Sequence, residues 1–136
     1  MAEGRGKARE VSPLQIDNKM PDGSMYAGIS PDSRQALYAT PADAPVAYTF
    51  GQAERYAATL NAHGCHDWRV PTENELNLLF QNRHAIGGFN TSGASPAGWY
   101  WSSSQGDRDA WVQRFNDGRQ NLNPKSIVAS LRCVRG

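Results

Sequence analysis

The sequence has almost no excess of charge of either sign. Fourteen Lys and Arg face thirteen Asp and Glu, which gives a net charge of +1. Attraction to a phosphate backbone needs a surplus of basic residues, so we expect no nucleic-acid partner. No run of about 18 apolar residues occurs, so we expect no membrane insertion. Residues 1–15 lack the apolar centre of a signal peptide. The chain as given is therefore expected to stay in the cytoplasm or to be displayed as part of a larger assembly.

Cysteine is also scarce. Only Cys65 and Cys133 are present. A disulfide between them would remove about 4 kcal/mol of chain entropy from the unfolded state, whereas a reducing cytoplasm favours two buried thiols. His63 and His66 flank Cys65, but a structural zinc site draws its ligands from two separated segments. We expect no metal and no cofactor.

What the sequence does contain is aromatic residues, Gly and Pro, which are typical of a loop-rich fold around an aromatic core. We predict a flexible N-terminal segment over 1–20 and a single domain over 21–136. Short apolar stretches at 24–29 and 35–40, separated by Ser-Pro-Asp-Ser, predict a β-hairpin.

Two capping boxes predict two helices. Thr49 with Gln52 begins the first, which apolar spacing extends over 50–62, and Gly64 is placed to end it. A second box, Thr-Glu-Asn-Glu, begins a helix over 73–83 with an apolar stripe on one face. These elements define an α+β fold class, with two helices packed on a small, mainly antiparallel sheet.

The C-terminal part of the chain predicts strands joined by long irregular loops. A stretch rich in Ser, Gly and Asn over 88–98 indicates a surface loop. Strands are predicted over 99–102, 110–116, 119–123 and 127–134, with Asp-Gly as a tight turn. An Asn-Asp pair before that Gly also suits calcium, but no Glu-Pro-Asn segment completes a calcium site, so a turn is expected.

Three ordered motifs carry a family resemblance. They are Asp-Trp-Arg-Val-Pro-Thr with Glu-Leu from residue 67, Tyr-Trp-Ser-Ser from residue 100, and Ala-Trp through Phe-Asn-Asp-Gly to Arg-Cys-Val-Arg over 110–135. Over about 46–136 the chain resembles the C-terminal domain family of collagen-like bacterial adhesins, the Lcl_C family. It is also similar to the variable proteins of diversity-generating retroelements.

The resemblance implies a C-type-lectin-like fold, related to that of formylglycine-generating enzymes and used for adhesion or ligand display. In the retroelement proteins, the C-terminal stretch of this fold presents hypervariable side chains to a ligand. The chain departs from the family at Gln113, where an apolar residue is usual. Either that strand is partly exposed, or the glutamine faces a ligand.

We expect no catalytic residues and therefore no enzyme, because no nucleophile, base and orienting group stand out together. The alternative is a formylglycine-generating type of oxidase that uses both cysteines, although no copper-binding pair is recognisable. Most of the large aromatic side chains should belong to the core: Trp68, Trp99, Trp101, Trp111 and Phe115. Tyr100 points to the opposite face from Trp99 and Trp101 and is the better candidate for exposure.

Polar segments over 103–109 and 119–126 provide the candidate ligand-binding site, because adaptable polar side chains on a rigid scaffold suit recognition. The predicted contacts are Tyr100 as an aromatic anchor with Gln105, Asp107, Arg108, Arg119, Asn121, Asn123 and Lys125. The expected partner is a protein or glycan ligand, with homo-oligomers or attachment to a larger assembly as further possibilities. The competing hypothesis is a structural or assembly domain whose loops are ordinary solvated surface.

Overall fold

The computed structural model describes residues 15–16 and 19–136. Most of the N-terminal segment predicted over 1–20 therefore lies outside the described residues. The elements along the chain are β1 (Met25–Ile29), β2 (Ala36–Ala39), α1 (Phe50–Thr59), α2 (Glu73–Gln81), α3 (Arg83–Ile86), β3 (Trp99–Gln105), β4 (Asp109–Arg114), β5 (Gln120–Pro124) and β6 (Val134–Arg135). The predicted α+β class is confirmed.

The strands form two small sheets and not the single sheet that we predicted. One has the order β1-β2-β6 and the other β3-β4-β5, and all neighbouring strands are antiparallel. The predicted last strand over 127–134 is the reason for the difference. Ala129 bridges Tyr48 and Ser130 bridges Tyr100, and only the end of the segment pairs with β2. Because this segment crosses from one sheet to the other, it pairs along its full length with neither.

Both capping boxes are confirmed, but the first helix is shorter than predicted. The Thr49 side chain accepts from the Gln52 amide, and the Gln52 side chain accepts from the Thr49 amide. Helix α1 ends at Thr59 because Leu60 is extended, and Leu60 packs against the core. Gly64 does not end the helix. It lies with a φ of +72° in the following turn, where Gly adopts this conformation at least cost.

The second sheet separates two apolar clusters. On one face, Trp101 and Val112 pack with Phe50 of α1. On the other, Tyr100 packs with Leu76 of α2. Alternate residues of β3 thus enter different clusters, as the period of two in a strand requires. Both faces are covered near β3, whereas β5 lies at the open margin of the sheet, where four of its five residues are exposed. The candidate site lies along this open margin of the second sheet.

The turn between β4 and β5 depends on Gly118. Its φ is +83°, and a Cβ atom would lie 2.6 Å from the Phe80 ring. We expect Gly118→Ala to lower the free energy of unfolding by about 1–3 kcal/mol, from backbone strain and overpacking together. Gly51 is the matched control, since it lies in α1 and an added Cβ atom would meet nothing within 4 Å. Gly51→Ala should be neutral or stabilising. Equal urea midpoints for the two variants would contradict this account.

Candidate functional site

The structure removes Tyr100 from the predicted binding surface. Its side chain is fully buried, so the prediction that it is an exposed aromatic anchor is wrong. The hydroxyl donates to the Asp43 carboxylate and accepts from the Asn90 amide at 2.7 Å. Tyr100 does point to the opposite face from Trp101, but that face carries its own apolar cluster. Alternation along β3 predicts exposure only where one face of the sheet is uncovered, and here both faces are covered.

Tyr100 belongs to a polar network around Arg132, which the sequence analysis missed. The Arg132 side chain is fully buried, and its Nε donates to Asp43 Oδ1 at 2.9 Å. Its Nη1 donates to the carbonyl oxygens of Thr40 and Gly87, and its guanidinium lies 3.8 Å from the centre of the Phe89 ring. Burial raises the pKa of Asp43 against the opposing effect of Arg132. The network ties two loops to the C-terminal segment and is structural.

Gln113 is explained by neither of the alternatives we considered. It is buried, so its strand is not exposed at this point, and it faces protein groups. Its Nε2 donates to Asn77 Oδ1 at 2.9 Å and to the Gly118 carbonyl at 3.0 Å. The glutamine therefore connects β4 to α2 and to the β4–β5 turn. The side-chain nitrogen of Gln113 is paired, whereas its Oε1 is buried with no hydrogen-bond partner among the described residues.

Four of the predicted contact residues come together at one end of the second sheet. The Lys125 ammonium donates to Gln105 Oε1 at 2.8 Å and to the Asp107 carbonyl at 3.3 Å. The Lys125 amide donates to the Arg108 carbonyl at 2.9 Å. Gln105, Asp107 and Arg108 are exposed, and Lys125 is half-buried with its ammonium 5.0 Å from the centre of the Phe50 ring. We call these four residues the loop cluster.

Asn121 and Asn123 extend the loop cluster along β5. They pair with Val112 and Ala110, whose side chains enter the cluster that contains α1. Residues directly opposite in a pair share a face, so both asparagines lie on this face, beyond the part that α1 covers. Arg119 lies at the other end of β5. At about 3.3 Å per residue it is roughly 20 Å along the strand from Lys125, so the structure does not bring it into the cluster.

An apolar pair on the opposite face of the same strands was missed. Trp111 is half-buried and Leu122 is 45% exposed, and the two residues are directly paired. We expected the large aromatics to belong to the core, and Trp68, Trp101 and Phe115 do. The signal that could have revealed this pair is Leu122 itself, a single apolar residue in a polar run.

Both cysteines are free thiols in the structure. Cys133 is buried, and burial raises the pKa of its thiol to about 12, whereas Cys65 is half-buried. Within residues 15–16 and 19–136 there is no group of three or more His, Cys, Asp or Glu side chains that could hold a metal ion. Over the same residues, no helix combines the length and apolar character needed to span a membrane.

The model of one protein family, the Lcl C-terminal domain, matches residues 27–135. The chain belongs to this family. The resemblance carried by the three sequence motifs is thereby confirmed at the level of the family. The match to the Lcl C-terminal domain begins at the third residue of β1 and ends with the last residue of β6, so it contains the whole second sheet, nearly all of the first, both capped helices and the loop cluster. A search of curated proteins found no match.

Proposed function

We propose that this Lcl C-terminal domain is a non-enzymatic recognition module that binds a protein or glycan through the loop cluster and the asparagine face of β5. The observation that carries the proposal is the position of Lys125. Its hydrogen bonds hold the β3–β4 turn against the end of β5, so the backbone that carries the exposed polar side chains is held in one arrangement. Polar side chains held on a rigid frame bind with little loss of conformational entropy.

Membership of the family makes the chain an adhesin-associated module. The surface that we propose for the ligand suits this role. Gln105 and Arg108 are exposed on a turn, and Asn121 is exposed on an edge strand. Amide, guanidinium and carboxylate groups together can pair with the polar groups of a protein surface or of a sugar. A C-type-lectin-like fold, with two helices around strands that display a C-terminal surface, is part of this proposal.

The cysteines favour recognition over oxidase chemistry. A cysteine nucleophile acts as a thiolate and needs a lowered pKa in an electropositive setting. Burial instead raises the pKa of the Cys133 thiol to about 12, so without a bound metal it stays protonated at neutral pH. We therefore propose a binding domain and not an enzyme of the formylglycine-generating type.

A sharper form of the proposal is a variable protein of a diversity-generating retroelement. Exposed positions such as Gln105, Arg108 and Asn121 contribute little to either apolar cluster, so they can change without unfolding the domain. Sequencing the neighbouring DNA tests this form. A near-copy of the 3′ coding end that differs mainly at adenines would support diversification, and its absence would leave a binding module of fixed sequence.

The recognition surface is tested by a triple variant, Gln105→Ala, Arg108→Ala and Asn121→Ala. Probed on an array of glycans and surface proteins, the unchanged domain should bind selectively, and the variant should bind at least about tenfold more weakly, which corresponds to about 1.4 kcal/mol. The melting temperature should change little, since all three side chains are exposed and the hydrogen bond lost, from Lys125 to Gln105, lies on the surface.

The control for this experiment is a variant of matched composition, Gln81→Ala, Arg55→Ala and Asn61→Ala. These residues are also exposed, but they lie on or after the helices and outside β3, β4 and β5. The control should bind as the unchanged domain does. If neither the domain nor the control binds any ligand, or if all three proteins bind equally, the surface is not a recognition site and the structural or assembly hypothesis is favoured.

A further inference from the structure

The outer margin of the second sheet is an edge strand. Within the described part of the chain, β5 pairs with β4 on one side only. On the other margin of this sheet, by contrast, the Ser130 amide and carbonyl bond to Trp99 and Trp101 of β3 and cover that edge. The backbone of β5 is therefore the unpaired margin of the sheet.

The hydrogen-bond register shows which backbone N–H and carbonyl groups of β5 point away from β4. The Arg114 amide donates to the Arg119 carbonyl, and the Lys125 amide donates to the Arg108 carbonyl. Hydrogen-bonded and non-hydrogen-bonded residue pairs alternate in an antiparallel ladder. The backbone N–H and carbonyl groups of β5 therefore point toward β4 at positions 119, 121, 123 and 125. Gln120, Leu122 and Pro124 consequently direct theirs outward. Gln120 and Leu122 each offer an N–H and a carbonyl, whereas Pro124 has no N–H and its carbonyl already accepts from the Ile127 amide at 3.2 Å.

This edge lacks most of the features that keep sheet edges apart. Monomeric proteins protect edges with charged side chains, bulges or proline. The strand Gln120–Pro124 carries no charge, and its only protecting residue, Pro124, is at its end. At its centre Leu122 is 45% exposed and directly paired with the half-buried Trp111. The net charge of +1 gives little repulsion between copies.

We propose that a second copy of this chain pairs with β5, antiparallel and edge to edge, about a two-fold axis at Asn121. In this register Gln120 of each copy lies opposite Leu122 of the other, and each such pair exchanges both its N–H and its carbonyl. Pro124 falls outside the ladder, so its missing donor costs nothing. The two Leu122 side chains become diagonal neighbours on one face, each backed by its own Trp111.

The alternative register, centred on Leu122, is less favourable. It would place Pro124 opposite Gln120 of the second copy. Because proline has no N–H, the Gln120 carbonyl would then be left without a donor. It would also set Arg119 opposite Lys125, and like charges directly opposite each other destabilise a pair. In the register that we propose, Arg119 lies opposite Asn123 instead. The resulting six-stranded sheet would carry two loop clusters, which adds avidity to the recognition function without depending on it.

The pairing is tested by sedimentation velocity from about 10 µM to about 1 mM, because an edge contact is small and we expect a weak dimer with a dissociation constant on the order of 100 µM. Leu122→Lys should remain a monomer throughout this range. The matched control is Ile127→Lys, which makes the same change at a residue that is 43% exposed but lies outside β5. This control should dimerise like the unchanged chain.

Amide hydrogen exchange gives a second readout that needs no substitution. The Gln120 and Leu122 amides should exchange several-fold more slowly at high protein concentration, while the Asn121 amide, which points toward β4, should not change. An unchanged chain that stays monomeric at about 1 mM, or a Leu122→Lys variant that dimerises equally well, would overturn the proposal. Ligand binding by the loop cluster is measured separately and does not depend on this outcome.

Discussion

Replacing Arg132 with methionine is expected to lower the free energy of unfolding by about 3–5 kcal/mol, because it leaves the half-buried Asp43 carboxylate without its partner and two carbonyl oxygens without their donor. Arg132 is fully buried. Without it, Asp43 would have no positive partner, and burial already raises the pKa of Asp43 and so disfavours its charged form. The carbonyl oxygens of Thr40 and Gly87 would also lose their donor. Chemical denaturation at pH 7 measures the effect.

Arg135 provides the control for this prediction. It forms a comparable ion pair with Asp67, at 2.8 Å, but on the surface. Surface pairs contribute about 0–1 kcal/mol, so Arg135→Met should change stability little. Adding Asp43→Asn to Arg132→Met should restore part of the loss by removing the unpaired charge. If Arg132→Met proves no more destabilising than Arg135→Met, the network does not stabilise the fold in the way that we describe.

Local signals in the sequence predicted local structure well. Thr49 and Thr72 begin the two helices as expected, because a capping box involves only residues within one turn of each other. The hairpin of β1 and β2 and the turn before β5 are likewise set by short-range geometry. The helix ends were less predictable. Helix α1 stops before Gly64 because Leu60 packs into the core, which is a tertiary contact.

Long-range contacts decided the features that the sequence could not reveal. The segment over 127–134 has the composition of a strand, but its path between two sheets depends on where those sheets lie. Tyr100 is on the predicted face of β3, yet it is buried because a second cluster lies there. Asp43 carries no local signal for its pairing with a residue far away in sequence, Arg132.

In the candidate site, too, the sequence predicted short-range contacts better than long-range ones. Gln105, Asp107 and Arg108 are close in sequence, and a turn keeps them close in space. Lys125 joins them because β5 returns antiparallel to β4, which the predicted hairpin already implied. Arg119 was grouped with them because both polar segments were expected on loops and hairpin ends at one side of the strands, although an antiparallel strand places its two ends far apart. Strand direction, inferred from the same hairpin, would have separated Arg119 from the other four residues.

Replacing Glu75 with glutamine is the second prediction with a large expected effect. The Glu75 side chain is buried and accepts from both terminal nitrogens of Arg69, at 2.6 and 2.9 Å. It also accepts from the Ser30 hydroxyl and the Thr72 amide, so it joins α2 to the loop after β1. Glutamine keeps the shape but loses the charge. We expect a loss of about 2–4 kcal/mol at pH 7.

The pH dependence of stability separates the charge of Glu75 from its shape. Burial acts to raise the pKa of this carboxyl, but the hydrogen bonds from Arg69, Ser30 and Thr72 outweigh it and lower the pKa from 4.5 to about 2. Because the pKa of Glu75 is lower in the folded state than in the unfolded state, its carboxylate stabilises the fold at any pH above the unfolded-state pKa of about 4.5. That contribution, about 3 kcal/mol, is lost as the pH falls from about 4.5 to about 2.

Urea unfolding at a series of pH values between about 2 and 7 measures this contribution. The unchanged domain should lose stability steeply below about pH 4.5, and Glu75→Gln should show a shallower fall from a lower starting value. Glu54→Gln, at an exposed position of α1, should follow the unchanged domain. If the Glu75 variant keeps the full acid dependence, other carboxyl groups govern it, and the Arg69–Glu75 pair contributes through packing alone.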